Sequence, residues 1–155
     1  MVKSIDELAK GIKKKIGANG LADDANANAH YTPLLAGAYS VAVAIEEKSA
    51  KLKVTESINF KDLSEKVQGV VSVSKEFTAK LKAENAVLGL ANGAATDTNA
   101  KKAIDKSDST GDKGVSELIK LNTAIDGLLK AANEAVEAAI KELTAPAKPA
   151  APVKS

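Results

Sequence analysis

The chain has 155 residues, 45% hydrophobic, 27% charged and only 3% aromatic, with a net charge of +2. That length accommodates one ordinary domain with its own core, and its 29 alanines favour helices over a β-sandwich or barrel. Having no cysteine excludes disulfides, thiolate nucleophiles and Cys-ligated zinc, and a single histidine excludes a multi-histidine metal centre. All 22 basic residues are lysine, so the bidentate arginine contacts that read guanine or clamp phosphate are missing, and no nucleic-acid partner is expected. No run of 18 apolar residues occurs and no signal peptide opens the chain.

Ser4-Ile5-Asp6-Glu7 has the form of a capping box. Ile5, Leu8, Ile12 and Ile16 then recur at helical spacing until Gly17, which predicts a helix over 4–16 with Lys13, Lys14 and Lys15 in its last turn. Residues 17–32 read as loop, with a possible short hairpin around Asn19-Gly20. Thr32 as N-cap and Pro33 at the first helical position open a second helix that fades near Lys53. Its apolar stripe, Leu34, Leu35, Ala38, Val41, Ala42, Ile45 and Leu52, lies beside the small residues Ala36, Gly37, Ser40 and Ala44.

Phe60, Leu63, Val67, Val70, Ser74, Phe77, Leu81 and Leu88 mark a heptad seam over 59–88, interrupted in character only by Ser74 and Glu84. Gly89, Asn92 and Gly93 break it. Asp97 or Thr98 can cap a short helix through Ile104, and KSDSTGDKG returns to loop. A final helix over 112–143 carries Val115, Leu118, Ile125, Leu128, Leu129, Ala132, Val136, Ile140 and Leu143, with Asn122 at the stripe's edge or within it. The fold class is therefore all-α: an elongated antiparallel bundle of about five helices with a possible small hairpin. Residues 1–143 form one domain, and the Pro/Ala/Lys-rich 144–155 form a flexible tail.

Catalytic and metal-binding patterns are weak. His30 lies in a loop near Asp23 and Asp24, where a solvated histidine is a better reading than a ligand or base. Residues 106–117 match parts of a calcium loop, but Lys106 occupies the position that needs a carboxylate. No phosphate-binding glycine motif occurs, and the adjacent Glu46 and Glu47 diverge around a helix. Lys13 to Lys15 form the densest basic run, suited to sulfated polysaccharide or anionic lipid but also to a plain solvated helix end. No enzyme activity and no cofactor are expected.

Three segments carry a resemblance: SIDELAKGIKKKI, LLAGAYSVAVAI at 34–45, and KELT with its Pro/Ala/Lys tail at 141–155. Together they resemble the surface lipoproteins of Borrelia spirochaetes, the variable small proteins of relapsing-fever species and their Lyme-species relative, outer surface protein C. The middle of the chain looks more like a variable small protein. The resemblance implies a mostly α fold of five helices, a homodimer, and a lipid anchor on an N-terminal cysteine that holds the protein on the outer membrane, facing outward. It implies an antigen that serves antigenic variation and immune evasion, meets host antibodies and influences tissue tropism. The alternative is a host-ligand adhesin that binds a glycosaminoglycan or a serum or vector protein.

Met1-Val2-Lys3-Ser4 enters the family's first long helix partway along, so this chain is expected to be a soluble truncation that meets a membrane only through the absent lipid. The expected dimer surface comprises Ile12, Ala36, Gly37, Ser40 and Ala44, because small residues permit close approach across a two-fold axis. Antiparallel packing places loops 17–32 and 89–113 at the end away from the anchor. Asp24, Asn28, Asn92, Asp97, Lys101, Lys102, Asp108 and Lys113 are the expected exposed antigenic positions there.

Overall fold

The computed structural model describes residues 2–24, 31–54, 60–89, 95–107 and 110–144. Among them the chain is mainly helical, and its one sheet is a two-stranded hairpin.

The first helix, α1 (Val2–Ala9), is shorter than the spacing predicts. Lys10, Gly11 and Ile12 donate to the carbonyls three residues back, at 3.2, 3.0 and 3.0 Å, so the last turn tightens. Gly11 then lies so close to the second helix that a Cβ would overlap the Pro33 carbonyl and the Gly37 amide. Lys13, at φ 57°, turns the chain out of the helix. The chain continues as β1 (Lys14–Gly17), paired antiparallel with β2 (Gly20–Asp23) in the register Lys14↔Asp23 to Gly17↔Gly20. The predicted helix over 10–16 is thus a turn and a strand, and Lys14 and Lys15 sit on the strand. Ile16 still reaches the core, at 1% exposure, but from β1. Ser4 lies inside α1 rather than capping it.

The second helix, α2 (Thr32–Ala50), begins at Thr32 itself, with Tyr31 in the cap position and no side-chain cap. Leu35, Tyr39 and Ala42 point into the core. In α3 (Lys61–Ala83) the seam is real: Val67, Val70, Ser74, Phe77 and Leu81 are all buried. The seam breaks at Glu84 and resumes in the single turn α4 (Asn85–Leu88), where Leu88 is fully buried. Gly89 follows so tightly against the Ile16 carbonyl that no side chain fits there. Thr96, not Asp97 or Thr98, caps α5 (Asp97–Ile104), accepting from the Asn99 amide at 3.4 Å.

The last helix, α6 (Val115–Thr144), packs antiparallel to α3: Gly114 abuts Leu81 and Phe77, and Lys120 lies 3.9 Å from Glu76. Extending that pairing carries the C-terminal end of α6 roughly three turns past the start of α3. Val136, Ile140 and Leu143 are accordingly exposed, although they continue the predicted stripe. Residues 145–155, most of the predicted tail, and 55–59, most of the turn before α3, lie outside the described residues.

Candidate interaction surfaces

The small-residue face of α2 is occupied by α1 of the same chain. Gly37 backs directly onto the Leu8 side chain and carbonyl, and a Cβ there would overlap both. Ser40 donates its hydroxyl to Glu7 Oε2 at 3.4 Å. Ala36, Gly37, Ser40 and Ala44 are all buried. The expectation that these four form the dimer surface is therefore corrected: close approach does occur, but with α1 of the same chain. Ile12 is the exception, 66% exposed on the outer side of the turn after α1. Ile5 is likewise exposed, at 58%, whereas the half-exposed Leu8 turns its side chain onto Gly37.

Glu7 is the polar centre of the α1–α2 contact. Lys10 donates to its carboxylate at 2.7 Å and Lys48 approaches at 3.8 Å. The Lys10 hydrogen bond, aided by both ammonium charges, holds the Glu7 carboxyl below the usual carboxylate range against the opposing effect of burial. Its place in a capping-box motif gave no hint of this cross-helix role.

The expected antigenic positions divide. Asp97 and Lys101 are exposed on α5. Lys102 is half-buried and pairs with Asp112 at 3.7 Å. Asp24 is buried, at 5% exposure, because its amide closes the open end of the hairpin onto the Lys13 carbonyl at 2.9 Å. Lys113 is partly buried as well, its ammonium 3.2 Å from Glu84. Asp24 and Lys113 are thus corrected from exposed loop positions to structural ones. Asn28, Asn92 and Asp108 lie outside the described residues, as does His30.

Two contacts bring the first loop and the loop after α4 to the same end. The Tyr31 amide donates to the Ala95 carbonyl at 3.4 Å, and the hairpin rests on Gly89 through Ile16. Among the described residues no group of three or more His, Cys, Asp or Glu could hold a metal ion. Likewise, no described helix is long and apolar enough to cross a membrane.

The profile of the Lipoprotein_6 family, described as "Lipoprotein", matches residues 1–149. The chain belongs to this lipoprotein family. Outer surface protein C of Borreliella burgdorferi is 45% identical over 156 residues, covering 99% of this chain and 69% of that protein. Variable small protein 11 of Borrelia hermsii is 38% identical over 153 residues, covering 96% and 69%. Among solved structures, Variable Small Protein 1 of Borrelia turicatae superposes with a TM-score of 0.66 at 50% identity, over 91% of this chain and 83% of that one. The family resemblance read from the three sequence segments is thereby established, and the fold is that of a helical surface lipoprotein. None of these relatives is named as an enzyme.

Proposed function

We propose that this lipoprotein is a non-catalytic antigen held on the spirochaete outer membrane by an N-terminal lipid, facing outward. In this reading it serves antigenic variation and immune evasion and influences tissue tropism. The observation that carries the reading, beyond family membership, is the grouping of connections: Tyr31 meets Ala95, and Ile16 meets Gly89, so the connections before α2 and before α5 are anchored at one end of the bundle together. Loops tolerate substitution where packed helices do not, so that end can change its surface without disturbing the core.

Two measurements test this. Proteinase K added to intact cells should remove the protein, and survival of the full-length chain under conditions that digest a known surface marker would overturn the placement. Hydrogen exchange on the complex with neutralising antibody should protect residues 18–24 and 95–107. Protection confined to 51–54 and 140–144 would overturn the reading of an antigenic loop end.

We further propose that the protein is a homodimer in solution. Ile5 and Ile12 support this, because neighbouring large apolar side chains seldom stay in water without a partner. The surface invoked is the exposed part of α1 and its following turn that carries Ile5 and Ile12, since the face with Glu7 and Leu8 already packs on α2.

A further inference from the structure

We propose that the cavity between the start of α2 and α5 is a binding site for a small organic cation, an amine carrying one ring-sized apolar body. The inference goes beyond the surface-antigen reading and does not depend on it.

The cavity has a volume of about 290 Å³. Its apolar walls come from Tyr31 and Leu34 on one side and from Ala100 and Ile104 on the other. The Tyr31–Ala95 backbone hydrogen bond ties the chain just before α2 to the chain just before α5, beside the cavity. Tyr31 and Leu34 remain 38% and 45% exposed at the mouth, while Ala100 is buried at the floor. A cavity of roughly 150 Å³ admits a benzene-sized body, so this one takes a single ring with a short chain but not a large ligand.

The charge at the rim selects among such ligands. Asp97, Lys101 and Asp105 follow one another one helical turn apart along the cavity edge. Two carboxylates flank one ammonium, so the described lining residues carry a net negative charge. Asp105 is held as the anion: its Oδ1 accepts from the Ser107 hydroxyl at 2.6 Å and the Ser107 amide at 3.0 Å. The Tyr31 ring at the mouth adds a face that attracts cations. An anionic ligand of the same shape would meet both carboxylates.

The probes are phenethylamine, its neutral analogue 2-phenylethanol and its anionic analogue 3-phenylpropionate, titrated into the full chain and followed by amide chemical shifts. Phenethylamine should give saturable shifts at Tyr31, Leu34, Ala100 and Ile104, with a dissociation constant about tenfold below that of either analogue. The double variant Asp97→Asn/Asp105→Asn should lose that advantage, so that amine and alcohol bind alike. Asp97→Asn alone, at an exposed position, should lose part of it and provides the test if the double variant does not fold. No saturable shift with the amine, equal binding of the anion, or an unchanged preference in the variants would overturn the proposal.

Discussion

Lys113 donates through its Nζ to Glu84 Oε2 at 3.2 Å, joining the approach to α6 to the point where α3 breaks. Lys80, one turn back on α3, holds the other carboxylate oxygen at 2.9 Å. The Lys80 hydrogen bond is the main reason the Glu84 carboxyl sits below its ordinary range, with Lys113 adding to it against burial. Because the folded-state pKa is depressed, the stabilisation is complete above the unfolded value near 4.5 and is lost as pH falls through the folded value. Glu84→Gln should cost about 1–2 kcal/mol at neutral pH. Its unfolding midpoint should also fall less steeply than wild type between neutral pH and pH values below the ordinary carboxylate range. Parallel acid limbs for the two proteins would show that Glu84 makes no such linkage.

The buried seam supplies a second test. Leu81 is fully buried between α3, α5 and the start of α6. Leu81→Ala should cost about 2–5 kcal/mol, whereas Lys101→Ala on the exposed face of α5 should stay within about 0.5 kcal/mol. Urea midpoints for the two variants separate the cases, and small equal shifts would contradict the packing.

These residues also show what a sequence can reveal. The α3 seam was legible because Val67, Val70, Phe77 and Leu81 repeat at one period and are buried together between α2 and α6. Ile16 was equally legible as core, but not as strand. Its spacing from Ile12 fits a helix, and only the contact of Gly11 with Pro33 and Gly37, far along the chain on α2, ends that helix early. Glu84 registered only as a flaw in the seam, since its partner Lys113 comes from a different element. The small row on α2 was recognised as a close-approach surface, but periodicity cannot name the neighbour, and the neighbour is α1. Nothing in the sequence marked the α2–α5 cavity, where Leu34 reads as one more stripe residue.

The α1–α2 contact makes a steric prediction. A Cβ at Gly37 would overlap the Leu8 carbonyl and side chain, and a carbonyl held in a helix cannot step aside as a flexible side chain can. Gly37→Ala should therefore destabilise by about 1–3 kcal/mol despite the better helix propensity of alanine. Gly69 on α3 is the control, because nothing lies within 4 Å of a Cβ there. Gly69→Ala should be neutral or stabilising by up to about 1 kcal/mol. Thermal unfolding of both variants decides it, and a neutral Gly37→Ala would mean that α1 does not sit on α2 in solution.

The exposed face of α1 yields the test of assembly. Ile5 and Ile12 are 58% and 66% exposed, so α2 covers neither of them. Their burial against a second copy would remove apolar surface from water at about 25 cal/mol per Å². Placing a charge there would strand an ammonium in the interface. Ile5→Lys and Ile12→Lys should each leave the monomer's helicity and urea midpoint at low protein concentration unchanged, because neither side chain packs in the monomer core. Sedimentation equilibrium should show wild type moving from monomer towards dimer as concentration rises, with both variants shifted back towards monomer by about tenfold or more in dissociation constant. A wild type that stays monomeric throughout would remove the dimer from the functional reading. Variants that dimerise as strongly as wild type would retain the dimer but move its interface off α1, and the exposed C-terminal stripe of α6, with Leu129, Val136 and Ile140, would be the next surface to charge.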